Sequence, residues 1–322
     1  MSVDEKDVPI RGHVRAAGHR RVSHGLFLKE REGLDDDEEF ARELAAWQLV
    51  LPEGAVFTHV TGARLLGWRT PALPEDVPVF AAVQGDKPRP RRPGLLCSRL
   101  VREPRPVPGQ RFPIDAPEEI LLRAARDLGV LDLVIMIDSA LEKGHLDPAR
   151  IEELLKSRRP GVRNLRAAYR LSTAKCESAG ETVLRVFHEA IQVPVEPQVD
   201  LLDGDGHALG RADLLVTGTC RVHEYDGAGH REGAQHRADL RRERGWAGSP
   251  YRRSGFTLDD LLNHPAVVMH EIDRALGRPH RLQRLRRWRR LVSESLYSAA
   301  GRARVLNRWR RQMGVPEWSR TA

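Results

Sequence analysis

Two neighbouring stretches rich in aliphatic residues, 210–216 and 221–225, constrain the fold of this chain more than any other segment. Their pattern predicts two β-strands, and residues 217–219 between them are typical of a tight turn. Folding about that turn places Asp213 opposite Glu224 on the adjacent strand. The segment therefore predicts a β-hairpin that carries carboxylates where a strand would prefer apolar side chains.

A third acid, Asp226, shares a face with Glu224, because side chains alternate along a strand. The same alternation turns Arg221 and His223 to the other face, so we expect no basic residue beside the acids. Three carboxylates without a counter-charge repel one another unless a cation lies among them, and oxygen ligands suit a hard ion such as Mg²⁺ or Mn²⁺. The alternative is that these acids are solvated surface residues at the end of a hairpin.

The segments on either side of the hairpin add further polar residues in a regular order. Upstream, apolar residues at helical spacing predict a helix whose polar face carries Glu181, Arg185 and His188. Downstream, His230 precedes a basic helix over residues 239–246. The order is therefore an acid on a helix, an aspartate strand, a Glu-x-Asp strand and a second helix.

With this order, residues 177–277 resemble the PD-(D/E)xK restriction-endonuclease-like superfamily, in particular the branch related to the very-short-patch mismatch repair endonuclease. Members of that branch carry an acid-bearing helix, an aspartate strand, a Glu-x-Asp-Gly-x-x-His strand end and an Asp-x-x-Arg helix. The resemblance implies a three-layer α/β/α domain over residues 171–277 that hydrolyses or nicks DNA. The matching positions of this sequence are Glu181, Asp213, Glu224, Asp226, Gly227, His230, Asp239 and Arg242.

The resemblance also implies a role for each matching residue. Asp213 and Glu224 would bind Mg²⁺ or Mn²⁺, and Glu181 would support the metal or its waters. Asp226 and His230 would position or activate the attacking water, while Arg242 would contact DNA. One departure from the superfamily is that Asp226 stands where its lysine would be. The alternative for His230 is an ordinary surface loop residue.

The first half of the chain predicts an α+β domain. Residues 50–170 resemble the C-terminal domain of AbiEi-type antitoxins, in the motif of residues 58–67, in two strands and in the helix that begins near residue 116. Those antitoxins begin with a winged helix-turn-helix, of which only a wing-like remnant, residues 19–28, is present here. The strands are expected over 77–83 and 95–101, and helices over 35–51, 117–128 and 131–143.

Positive charge is concentrated at the C-terminal end of the sequence. Residues 278–320 hold thirteen arginines, no lysine and two glutamates, which gives them a net charge of +11, although the whole chain carries only +8. Amphipathic spacing predicts two helices there, with arginines that can contact phosphates. The alternatives are solvated helices, helices packed on an acidic protein surface, or a membrane-surface helix. The expected DNA-binding residues are Arg286, Arg287, Arg289, Arg290, Arg308, Arg310 and Arg311.

A chain of 322 residues exceeds the usual size of one core and is expected to contain more than one domain. The predicted segments are 1–49, 50–170, 171–277 and a basic helical tail over 278–322. We expect a cytoplasmic protein that does not bind membranes, because neither a signal segment nor an apolar run of 18 residues is present.

Two functions are compatible with these observations. The first is a metal-dependent DNA endonuclease or nickase with α/β and α+β domains. The second is a DNA-binding antitoxin-like transcriptional regulator of an abortive-infection toxin–antitoxin system, which would act with a partner protein and keep the nuclease fold as an inactive platform. Only the first function requires the acids at Asp213 and Glu224.

Overall fold

The computed structural model describes residues 9–12, 18–227 and 248–314, which form a mixed α/β structure with three β-sheets. This agrees with the mixed α/β and α+β class expected from the sequence. Within the described residues, every helix is too short or too polar to span a lipid bilayer. The chain divides into two compact units, a first unit of Met1–Gly67, Leu73–Asp127 and Ala303–Ala322, and a second unit of Trp68–Ala72 and Leu128–Arg302.

The first unit contains two small sheets with helices beside them. One sheet has the order β1-β3-β2, and the hairpin β2–β3 lies at the wing-like segment 19–28. In the other sheet β4 pairs with β5 antiparallel, and β5 pairs with β6 parallel. The elements are β1 (Ile10–Arg11), β2 (His19–Ser23), β3 (Leu26–Lys29), α1 (Asp36–Gln48), β4 (Val56–Phe57), α2 (His59–Leu65), β5 (Val79–Gln84), β6 (Leu95–Leu100) and α3 (Pro117–Ala124).

Helix α1 shows how local sequence sets an element of the first unit. Asp35 caps its first turn by accepting the backbone N–H groups of Asp37 and Glu38 at 3.0 and 2.8 Å. Its apolar stripe then buries Leu44 and Trp47 in the core of this unit. The helix ends at Gln48 instead of the predicted residue 51, so the capping signal fixed its start better than its end.

The second unit is built around a four-stranded sheet of order β10-β9-β8-β7. Strand β8 pairs antiparallel with both β7 and β9, whereas β10 pairs with β9 in parallel. The elements are α4 (Val130–Glu142), α5 (Pro148–Lys156), α6 (Val162–Tyr169), α7 (Ala179–Ala190), β7 (Val195–Leu202), β8 (Ala208–Val216), β9 (Arg221–Tyr225), β10 (Arg252–Phe256), α8 (Leu258–Asn263), α9 (Pro265–Ala275), α10 (Leu285–Ser293) and α11 (Ala299–Met313), the last of which continues into the first unit at Ala303.

Helix α7 packs closely against the sheet because it carries a glycine at the point of contact. A Cβ atom at Gly180 would overlap the ring of Tyr225 on β9. Ser178 caps the first turn of the helix, because its hydroxyl accepts the backbone N–H of Glu181 at 3.1 Å. The close approach and the cap together place Glu181 in the first turn of a helix that lies against β9.

A buried polar network joins α7 to α4. The Asp138 carboxylate accepts hydrogen bonds from Arg185 at 2.7 Å, from the Thr182 hydroxyl at 2.9 Å and from the Thr173 backbone N–H at 2.8 Å. Arg185 also donates to the carbonyl of Leu171 at 2.6 Å. Asp138 is fully buried, so the charge of each partner depends on the other for its compensation.

Candidate functional site

Three of the predicted site residues come from adjacent elements of the second unit. Strand β8 carries Asp213, β9 carries Glu224, and the first turn of α7 carries Glu181. The pairing of Leu214 with His223, extended by one residue, sets Asp213 opposite Glu224 as the sequence predicts. The hairpin and the helix therefore bring their acids to one region of the sheet.

Glu181 is held firmly in this region. It is 9% exposed, and its Oε2 accepts hydrogen bonds from the backbone N–H of Glu177 and from the side-chain amide of Gln198, both at 2.8 Å. Gln198 lies on β7 with a φ of 54°, a left-handed conformation that is uncommon for residues other than glycine. Nothing in the local sequence signals that conformation, so the contact of Gln198 with Glu181 is not predictable from the sequence.

The surroundings of Asp213 disfavour the charged form of its carboxyl group. Burial, together with the neighbouring carboxylates of Glu181, Glu224 and Glu177, raises the pKa of its carboxyl to about 6, although a hydrogen bond from the Tyr225 backbone N–H acts to lower it. That hydrogen bond reaches Oδ2 of Asp213 at 2.9 Å. A cation near these acids would offset both the cost of burying the charge of Asp213 and the repulsion between the carboxylates.

The expectation that no basic residue lies beside the acids is wrong. Arg253 of β10 forms an ion pair with Glu224, and its Nε donates to Oε2 at 3.1 Å. The cause is the parallel pairing of Gly255 with Glu224, which places Arg253 two residues away on the same face of the sheet. Arg211 of β8 likewise pairs with Glu177, so two guanidinium groups lie among these acids.

Asp226 follows β9 directly, and its backbone N–H donates to the carbonyl of Phe256 at 2.9 Å. Its carboxylate occupies the space beside Gly255, where an added Cβ would overlap Oδ2. A glycine at position 255 is thus needed for the present position of the Asp226 carboxylate. Three other predicted site residues, His230, Asp239 and Arg242, lie outside the described residues.

A different set of residues is the one gathered tightly enough to hold a metal ion. Within the described residues, Asp203, Asp205 and His207 are the only group whose ligand atoms all lie within 4.8 Å of one another, and Glu181, Asp213 and Glu224 are more widely spaced. Asp203 also accepts the backbone N–H groups of Asp205 at 2.9 Å and His207 at 2.8 Å, as a turn between strands requires. None of these three residues is among the metal ligands predicted from the sequence.

Two histidines form a buried pair beneath the sheet. Nδ1 of His188 donates to the carbonyl of Leu184 at 2.8 Å, so its Nε2 must accept from Nδ1 of His223, 2.7 Å away. Burial lowers the pKa of His188 to about 4, and burial together with the neighbouring His188 lowers the pKa of His223 to about 3. Both rings are therefore neutral at pH 7, and His223 faces away from Glu224 as the strand alternation predicts.

This pair makes the stability of the second unit depend on pH. In the unfolded chain both histidines titrate near pH 6.5, so between about pH 6.5 and 4 the unfolded chain binds protons that the folded protein excludes. We expect the free energy of unfolding to fall in this range by up to about 1.4 kcal/mol per pH unit for each histidine. Urea unfolding at several pH values measures the slope.

Two variants test the origin of that slope. The double substitution His188→Leu and His223→Leu replaces both partners with apolar groups and should flatten the dependence on pH. The substitution His207→Gln removes a histidine whose side chain is 78% exposed and should leave the dependence unchanged. An unchanged slope in the double variant would assign the pH dependence to other groups.

The arginine-rich helices use their apolar faces for packing. Trp288 of α10 and Trp309 of α11 are fully buried, and the indole N–H of Trp288 donates to the carbonyl of Leu261 at 2.8 Å. The sequence predicts the tail as a separate basic segment, whereas its tryptophans are part of the hydrophobic cores. Ion pairs engage Arg287 with Glu189, Arg290 with Glu294, Arg308 with Asp127 and Arg310 with Asp76, while Arg286, Arg289 and Arg311 are exposed.

An open groove of about 460 Å³ lies at the C-terminal end of α7, beside Ala190. Four arginines line it, namely Arg281, Arg284, Arg286 and Arg287. Glu181 lies at the other end of the same helix, about 14 Å away at about 1.5 Å per residue. The second unit thus has an acidic region and a basic groove at opposite ends of one helix. The chain matches no family model, no curated protein and no solved structure.

Proposed function

We propose that the second unit is a metal-dependent DNA endonuclease or nickase. The single observation that carries this proposal is Asp213, a half-buried carboxylate that interacts with three further carboxylates, including Glu181 and Glu224. Burying like charges together is unfavourable unless a cation or a proton offsets them. Arg253 offsets Glu224 and Arg211 offsets Glu177, so among the described residues the repulsion falls on Asp213 and Glu181, and a purely structural role does not require those two carboxylates together.

The order of elements supports the same assignment. An acid-bearing helix, an antiparallel set of three strands and a final strand parallel to the third are present in the described residues as α7, β7–β9 and β10. This order agrees with the resemblance of residues 177–277 to restriction-endonuclease-like proteins. We therefore assign the sheet of the second unit to that fold.

The donor set fits a hard divalent ion, because Asp213, Glu224 and Glu181 offer only carboxylate oxygens. Bound there, Mg²⁺ or Mn²⁺ would lower the pKa of a bound water and stabilise the charge that develops on the phosphate. Asp213 and Glu224 would hold the ion, and Glu181, fixed by Gln198, would support it or its waters. Asp226 and His230 would orient or deprotonate the attacking water.

Asp226 stands where the superfamily has a lysine, and Arg253 would supply the positive charge of that missing lysine. Its guanidinium group lies against Glu224, within the same cluster of acids. With Mg²⁺ or Mn²⁺ held by Asp213 and Glu224, the Arg253 guanidinium would lie beside the ion and could donate to a phosphate oxygen. Arg253 would thus take over the role of the superfamily's missing lysine as the cationic group of the site.

Purified protein should nick or linearise plasmid DNA when Mg²⁺ or Mn²⁺ is added, and EDTA should stop the reaction. Arg253→Ala should lower the rate by about 10²-fold, as loss of one charge-stabilising donor does in other enzymes. Arg252→Ala is the matched control, because Arg252 is exposed and pairs with Arg221 on the other face of the sheet. Equal rates for the two variants would remove Arg253 from the site, and absence of metal-dependent cleavage by the wild type would refute the proposal.

One observation favours the second candidate function. The Glu224–Arg253 ion pair satisfies Glu224 without a metal, as an inactive platform would require. The chain would then be a DNA-binding antitoxin-like regulator that acts with a partner protein. Retention of DNA binding without cleavage under any divalent ion would support that function.

DNA affinity is assigned to the basic groove at the end of α7. Arg286→Gln should reduce the dependence of binding on salt by about one phosphate contact, which is a slope change of about 0.9 between about 50 and 200 mM salt. Fluorescence anisotropy with a DNA duplex in EDTA measures this slope without cleavage. Substitution is preferable to truncation at Gly277, because truncation would also remove the buried Trp288.

Arg289→Gln is the matched control for this measurement. It removes the same charge from the same helix, but Arg289 does not line the groove. An equal change in slope for both variants would show that the total charge of α10, and not the groove, attracts DNA.

A further inference from the structure

The two carboxylate oxygens of Glu181 are not engaged equally. Oε2 accepts the backbone N–H of Glu177 and the side-chain amide of Gln198, each at 2.8 Å. No described residue donates a hydrogen bond to Oε1, although Glu181 is only 9% exposed. The carboxylate lies close enough to Asp213 to raise the pKa of that residue. Oε1 is therefore the oxygen of Glu181 that stays available to a ligand bound at these acids.

Gln198 makes its contact from an unusual backbone conformation. The residues on either side of it in β7 pair with Ala212 and Leu214 of β8, so Gln198 stands opposite Asp213. Its φ is 54°, a left-handed value that glycine adopts freely and that strains other residues. The strain lies in the middle of a strand, where no turn or helix end calls for such a value.

A contribution to stability does not account for this strain. The hydrogen bond to the Glu181 carboxylate and the strain of a left-handed glutamine are of similar size and opposite sign, so together they add little to the stability of the fold. The backbone N–H of Glu177 already satisfies Oε2 and needs no strained residue. Strained residues of this kind cluster at functional sites, where they pre-organise a side chain.

We propose that Gln198 is a positioning residue of the metal site, and that its amide holds Oε2 of Glu181 so that Oε1 faces the divalent ion or a water bound to it. Gln198, Asp213 and Glu224 stand opposite one another across β7, β8 and β9, so the amide comes from the same row of the sheet as the two proposed ligands. Outer hydrogen-bond partners of this kind orient the ligands of metal sites. This role rests on the proposed endonuclease function, and Gln198 itself acts only through Glu181.

Calorimetry with Mn²⁺ alone on the full chain tests this role in Gln198→Gly. The substitution removes the amide but suits the left-handed backbone, so the variant should keep the circular dichroism spectrum of the wild type in EDTA. Its affinity for Mn²⁺ should be weaker than that of the wild type by about 10–100-fold, as for other outer partners of metal ligands.

Gln192→Gly is the matched control. Among the described residues Gln192 is the other glutamine with a left-handed φ, 61°, but it is exposed just past the C-terminal end of α7, whereas Glu181 lies in the first turn of that helix. The control makes the same change of residue type at the same kind of backbone. It should bind Mn²⁺ as tightly as the wild type.

Equal Mn²⁺ affinities for Gln198→Gly and the wild type would overturn the positioning role and leave the endonuclease proposal intact. An equal loss of affinity in Gln192→Gly would overturn it as well, because the backbone change and not the amide would then be responsible. Loss of the folded spectrum in Gln198→Gly would show that the amide serves the fold instead. Failure of the wild type to bind Mn²⁺ would refute the metal site itself, and the role of Gln198 with it.

Discussion

Asp213→Asn is expected to abolish metal-dependent cleavage and to stabilise the folded protein. The cleavage rate should fall by at least about 10²-fold, because the substitution removes a charged ligand from the site. Removing a partly buried charge that Glu181 and Glu224 also repel should raise the free energy of unfolding by about 1–2 kcal/mol at pH 7, allowing for the partial exposure of Asp213. The gain is present above about pH 6, where the carboxylate of the wild type is charged. It disappears in acid, because Asp213 of the wild type is then protonated and carries no charge to remove.

Asp203→Asn is the control that separates the two possible metal sites. Asp203 belongs to the turn between β7 and β8, where ligand atoms of Asp203, Asp205 and His207 lie within 4.8 Å of one another, whereas Asp213 lies within β8. Calorimetry with Mn²⁺ should show loss of binding in Asp213→Asn and retained binding in Asp203→Asn. The reverse result would move the metal to the turn between β7 and β8 and contradict the assigned site.

Asp138→Ala should destabilise the second unit by about 3–5 kcal/mol, because the buried guanidinium of Arg185 loses its counter-charge. The midpoint of urea unfolding, followed by circular dichroism, measures the loss. Asp37→Ala is a control of the same chemistry at the surface, since Asp37 pairs with Arg64 but its side chain is 89% exposed, and it should cost less than about 1 kcal/mol.

The double variant Asp138→Leu and Arg185→Leu identifies the source of that loss. If the unpaired charge is responsible, the double variant should be more stable than Asp138→Ala alone, because no buried charge remains. If the double variant is equally unstable, the packing between α4 and α7, and not the ion pair, carries the stability.

The local sequence pattern was sufficient to predict the elements whose partners lie close by in the sequence. The strand predicted over 221–225 has those bounds in β9, and the turn over 217–219 sets the register that brings Asp213 opposite Glu224. Both results depend only on alternation and turn chemistry within about ten residues. The proposed roles of these acids, and of His230, stay predictions.

The same pattern could not identify Arg253 or Asp138 as important. Arg253 reaches Glu224 through a parallel pairing across a long connection, and no local rule sets the register of such a pair. Asp138 meets Arg185 from a helix 47 residues earlier in the chain, within an apolar stretch that gives no sign of a charge partner. Contacts of this kind depend on tertiary packing, which a single sequence does not display.

Helix α11 affects the order in which the protein can mature during its synthesis. Trp309 is fully buried in the first unit, and its indole N–H reaches Asp127, 182 residues earlier in the chain. The ribosome must therefore complete the whole second unit before the last side chain of the first core emerges. The part of the protein that is translated first is consequently the part whose core closes last, and until then the space that Trp309 fills beside Phe80 stays open to water.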